Sequence, residues 1–99
     1  MTQASLSVEP EVLIERLPEP PGEWTRTDEP GGIVEYRIAG NDGICAAAKL
    51  TIRPDLLGDR AVRLDRKQGC KGAGTSRFDD LASAVGTVEA ELHAADNGE

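Results

Sequence analysis

Aromatic side chains are scarce in this chain: Trp24, Tyr36 and Phe78 are the only three. A core without them must be assembled from Leu, Ile, Val and Ala, and Ala adds little apolar area per residue. A domain of this length buries about 60–70% of its unfolded surface, so the core is lean and self-association is an expected way of extending it. Histidine is scarcer still, with His93 alone, which excludes His-paired metal motifs and leaves no His near either cysteine in sequence. No C-x-x-C or G-x-S-x-G occurs, and Cys45 and Cys70 lack zinc-type spacing. Two cysteines are also too few for a secreted disulfide scaffold. Free thiols in a reducing cytosol are the expectation, with a Cys45–Cys70 bridge as the alternative. Long apolar runs are missing as well, none approaching the roughly 20 residues that span a bilayer. The first residues, Met1 to Leu6, show neither the basic n-region nor the apolar h-region of a secretion signal. A cytoplasmic location follows as the expectation.

Acidic residues are plentiful. The formal net charge is −7 and the pI is near 4.6, which opposes non-specific attraction to nucleic acid or anionic membranes and is a device halophiles use to stay soluble. The charge is unevenly spread. From Asp59 to Arg77 six basic residues (Arg60, Arg63, Arg66, Lys67, Lys71 and Arg77) face only two acidic ones, a local balance of +4.

Residues 1–8 and 96–99 read as tails flanking one domain over 9–95. Pro10 suits the first position of a short helix, Pro10–Leu17, with Leu13, Ile14 and Leu17 as its stripe; a strand over Val12–Arg16 is the alternative. Four strands are predicted next: Glu23–Asp28, Ile33–Ala39, Ile44–Arg53 and Arg60–Lys67. Turns at Glu29-Pro30-Gly31-Gly32, at Gly40-Asn41-Asp42-Gly43 and at Pro54 to Asp59 separate them. Short connections imply an antiparallel meander. The final element is an amphipathic helix, with Ser76 as N-cap, Asp79 three residues on, and Phe78, Leu81, Ala82, Val85, Val88 and Leu92 at helical spacing. The fold class is α+β: a short N-terminal helix, a four-stranded antiparallel meander and a C-terminal helix, with both helices on one sheet face.

Alternation divides the sheet. Trp24, Val34, Tyr36, Ile38, Ile44, Ala46, Ala48, Leu50, Ile52, Val62 and Leu64 form the core face. Thr25, Thr27, Glu35, Arg37, Cys45, Ala47, Lys49, Thr51, Arg53, Arg63, Asp65 and Lys67 form a second, mildly basic face. Binders of single-stranded nucleic acid stack bases on exposed aromatics, and all three aromatics here fall on the core face or the helix stripe.

The segment Gly69 to Ser76, G-C-K-G-A-G-T-S, reads as a glycine-rich loop before the last helix. It departs from a phosphate-binding P-loop because Thr75 stands where that motif needs Lys. Gly72-Ala73-Gly74-Thr75-Ser76-Arg77-Phe78 resembles the entry to the last helix of double-stranded RNA-binding domains, where G-x-G-x-S-K-K opens the helix after an antiparallel meander. That resemblance implies a phosphate-contacting role for Ser76 and Arg77 across a groove. The second Lys of the pattern is Phe78 here, and Asp79 and Asp80 follow it.

No catalytic constellation emerges, so a non-enzymatic interaction module is expected, without cofactor, metal or small-molecule ligand. Its partner is expected to be a protein, or a second copy of the chain, rather than a membrane. A nucleic-acid phosphate backbone is the alternative. The candidate binding residues are Arg63, Lys67, Lys71, Gly72, Gly74, Ser76 and Arg77.

Overall fold

A computed structural model describes residues 9–38, 47–55 and 61–97. Helix α1 (Pro10–Arg16) leads into strands β1 (Thr25–Glu29), β2 (Ile33–Ile38), β3 (Ala48–Pro54), β4 (Val62–Gln68) and β5 (Lys71–Phe78), and helix α2 (Leu81–Asn97) follows. The strands form one antiparallel sheet in the order β1-β2-β3-β4-β5. The α+β class and the meander are as the sequence implies, but the sheet has five strands rather than four.

The fifth strand is the segment read above as a glycine-rich loop. It pairs with β4 from Val62↔Phe78 to Gln68↔Lys71, through an irregularity at Arg66/Lys67. Its own composition does not favour a strand; the backbone ladder to β4 and the burial of Val62 beside it hold it in place. Strand pairing therefore continues through Ser76, which is not a helix cap. The cap lies four residues later, where the Ser83 amide donates to the Asp80 side chain at 2.7 Å. That hydrogen bond holds the Asp80 carboxyl below its ordinary range. Phe78 ends β5 instead of opening the helical stripe, and the buried line on α2 is Ala84, Val88 and Leu92, with Ala82 exposed.

The core face follows the alternation. Val34, Tyr36, Ile52, Val62 and Leu64 are fully buried, Trp24 and Leu50 nearly so, and one cluster joins them to Leu13 and Leu17 of α1 and to Ala84, Val88 and Leu92 of α2. Ile38 and Ala48 pack at its margin; Ile44, Ala46 and the turn at 40–43 lie outside the described residues. The Trp24 indole N–H donates to the Leu92 carbonyl at 3.1 Å, which ties α2 to the segment before β1. No helix among the described residues is long and apolar enough to cross a membrane.

Gly86 sits on the exposed side of α2, and a Cβ there would meet nothing within 4 Å. Glycine in a helix interior costs about 1 kcal/mol relative to Ala. Gly86→Ala is expected to raise stability by that amount and the melting temperature by about 4–8 °C, measured by thermal unfolding followed by circular dichroism.

Candidate functional site

The register orders the second face into rungs running across the strands. One rung is Thr25, Arg37, Lys49, Lys67 and Gly72; the next is Thr27, Glu35, Thr51, Asp65 and Thr75; a third holds Arg53, Arg63 and Arg77. Adjacent rungs on one face stand about 6.8 Å apart and neighbouring strands about 4.8 Å apart. Two rungs thus place three cations side by side, an arrangement that like-charge repulsion disfavours unless anions lie between.

For the arginine rung the fold supplies the anions. Asp65 accepts from Arg53 and from Arg63, each at 3.2 Å, and from the Thr75 hydroxyl at 2.7 Å. Burial alone would raise the Asp65 carboxyl, but Thr75, Arg63 and Arg53 together hold it below the ordinary carboxylate range. Arg77 reaches the buried Asp55 carboxylate at 3.4 Å. Arg37 meets Glu35 at 3.7 Å. Arg66 bonds Glu91 of α2 through Nε at 2.8 Å and also donates to the Ser76 hydroxyl at 2.8 Å. The Glu91 hydrogen bonds raise the Arg66 pKa further above its ordinary value.

The lysines differ. Lys49, Lys67 and Lys71 are the chain's only three, and among the described residues none forms an ion pair. Lys49 and Lys67 are directly opposed on β3 and β4, and Lys71 faces Gln68 at the start of β5. A depression of about 420 Å³ lies along this region, lined by Lys49, Thr51, Asp65, Lys67, Gly72 and Thr75 among others. On its β5 side it is lined by Gly72, Gly74 and Thr75, and at Gly72, opposite Lys67, there is no side chain. The irregularity between Arg66 and Lys67 is the kind of local kink that re-aims side chains.

The sequence-selected residues therefore separate. Arg63, Lys67 and Gly72 fall on the second face, with Arg77 beside Arg63. Lys71 is exposed at the start of the edge strand. Ser76 sits opposite Leu64 and Gly74 opposite Arg66, positions whose partners belong to the other face. Since Ser76 and Arg77 lie inside a strand, the loop-to-helix geometry of the RNA-binding resemblance is absent from this segment. Lys49 was not among the selected residues because it lies outside the basic block in sequence; only the pairing of β3 with β4 brings it to Lys67.

Cys70 is disulfide-bonded, which corrects the expectation of free thiols. It occupies the exposed turn between β4 and β5, where the Gly69 amide donates to the Ala47 carbonyl at 3.1 Å. The sequence contains one other cysteine, Cys45, which lies outside the described residues. Trp24 and Tyr36 are buried in the core and Phe78 is partly buried against it. No protein-family model, curated protein or solved structure matches this chain.

Proposed function

We propose that the chain is a non-enzymatic binding module whose second sheet face receives an acidic protein. The observation that carries this reading is the opposed pair Lys49 and Lys67, which among the described residues form no ion pair, beside a row of arginines that share Asp65 and Asp55. Arg53, Arg63 and Arg77 each have a carboxylate within reach, whereas among the described residues Lys49 and Lys67 have none. Both helices are taken to lie on the opposite face, which the shared buried cluster supports. A second copy of the chain, with net charge −7, is among the acidic proteins such a face suits. Bonded Cys70 accords with an oxidising compartment more readily than with a reducing cytoplasm.

The test is anisotropy of labelled poly-L-glutamate, duplex RNA and duplex DNA at low and moderate salt. Poly-L-glutamate is expected to bind, and Lys67→Glu/Lys71→Glu to weaken it at least tenfold with thermal unfolding unchanged. Binding retained in that variant overturns the reading. Duplex binding that falls steeply with log salt, by release of counterions, would favour the phosphate-backbone alternative instead.

A further inference from the structure

Cys70 is disulfide-bonded and yet exposed, in the short turn that joins β4 to β5. The chain's one other cysteine, Cys45, stands two residues from Ala47 in sequence. The Ala47 carbonyl accepts from the Gly69 amide at 3.1 Å, beside Cys70. The strand that follows this bond is unevenly anchored. In its second half Thr75 donates to Asp65 at 2.7 Å and Ser76 accepts from Arg66 at 2.8 Å. Arg77 reaches Asp55 at 3.4 Å, and Phe78 packs against the core. Residues 71–74 are exposed and, among the described residues, have none of these anchors. They have the backbone pairing to β4, which is irregular at Arg66/Lys67. A segment with so little burial opens at low free-energy cost, so a crosslink at its head is the main restraint on it.

Lys67 precedes Cys70 by three residues and Lys71 follows it directly. Positive charge beside a cysteine favours its thiolate, which makes that sulfur a better leaving group and draws in an anionic attacker. We infer that the bond joins Cys45 to Cys70 and is an exchange site for small anionic thiols, and that its state decides whether residues 71–74 stay on β4. An attacking thiolate bonds one cysteine sulfur as the S–S bond breaks, and the electron pair leaves on the other sulfur. A second small thiolate then attacks the mixed disulfide, freeing the remaining cysteine and forming the oxidised small-molecule disulfide. Two electrons pass from the two small thiols to the bridge, and their two protons end on the two cysteines. Residues 71–74 are then released from the β5 side of the lysine depression while 75–78 hold. This latch operates whatever occupies the lysine face.

Amide hydrogen exchange, resolved by residue, compares the full chain before and after treatment with glutathione. Exchange within residues 71–74 is expected to rise about tenfold or more on reduction, and within 75–78 and the buried strands by less than about twofold. The untreated variant Cys45→Ser/Cys70→Ser is expected to show the same pattern, and the reduced wild type carries the test should that variant fold poorly. Unchanged exchange at 71–74 overturns the inference, as does resistance of the folded chain to glutathione. A rise throughout the chain also overturns it, because the bond would then support the whole fold. Reduction rates followed by thiol alkylation and mass spectrometry test the role of the lysines. Lys67→Gln/Lys71→Gln is expected to slow glutathione about threefold or more and to leave cysteamine, a cationic thiol, no slower. Equal slowing of both reagents, or of neither, overturns the preference for anionic thiols.

Discussion

Gly32→Ala is expected to destabilise the protein by about 3–5 kcal/mol, a large part of the 5–15 kcal/mol that holds a typical domain together. Two costs combine. Gly32 has φ +81°, and a left-handed conformation costs an L residue about 1–2 kcal/mol. A Cβ there would also stand 2.7 Å from Pro10 Cα and 2.8 Å from Pro10 Cβ. Neither atom is the loose end of a flexible side chain: Pro10 is the ring-locked first residue of α1. Relief therefore requires moving the start of α1, and with it Leu13, which is fully buried. Gly31 provides the control. Its φ is +87°, yet a Cβ there would meet nothing within 4 Å, so Gly31→Ala should cost only the conformational term. Urea unfolding of both variants gives the comparison through the midpoint at constant m-value. Equal losses would mean that the contact between Pro10 and the β1–β2 turn does not restrain α1.

Much of this architecture is legible in the sequence, and the failures have one physical origin. Val34/Tyr36, Leu50/Ile52 and Val62/Leu64 alternate cleanly because their strands are buried on one face only, so period-two patterning survives. Pro10 marks α1 because its missing N–H is harmless there. Residues 71–78 carry no such pattern: β5 is an edge strand exposed along most of its length, so its residues are not selected for burial, and its glycines imitate a loop. The helix start was ambiguous locally, since Ser76 with Asp79 and Asp80 with Ser83 both place polar partners three residues apart. What separates them is non-local, namely the pairing of Phe78 with Val62. The lysine pair was hidden for the same reason. Lys67 belongs to an evident basic block, whereas Lys49 lies eighteen residues earlier, and only strand register makes them neighbours.

Arg26 is the other position where one substitution should remove several interactions at once. Helix α1 has seven residues, too few to persist without tertiary support, and its last carbonyls need donors. Arg26 of β1 bonds one of them, the Ile14 carbonyl at 2.6 Å, and the carbonyls of Leu17 at 3.0 Å and Pro18 at 3.1 Å just past the helix. Asp28 accepts from its Nε at 2.7 Å. Burial opposes the Arg26 charge, but that hydrogen bond to Asp28 and the nearby Tyr36 and Asp28 more than offset it. Arg26→Met keeps the apolar stem and removes every donor. A cost of about 3 kcal/mol is expected, since a hydrogen bond from a charged group contributes about 1.5–3 kcal/mol and the set will not add fully. Tyr36 reports whether α1 stays docked. Its hydroxyl donates to the Pro18 carbonyl, and burial pushes the phenol up to about 12 despite the opposing Arg26 charge. In the unfolded chain the phenol ionises near pH 10, so between 10 and 12 the folded state holds the extra proton. Stability is therefore fully present below pH 10 and falls as pH rises toward 12, by about 2–3 kcal/mol. Tyr36 is the only tyrosine, so the tyrosinate absorbance reads this group alone. Wild type should titrate near 12, whereas undocking of α1 in Arg26→Met would expose the phenol and bring its midpoint back toward 10. A midpoint at or above that of wild type, together with undiminished stability, would show that α1 is held by Leu13 and Leu17 and that the Arg26 clasp is dispensable.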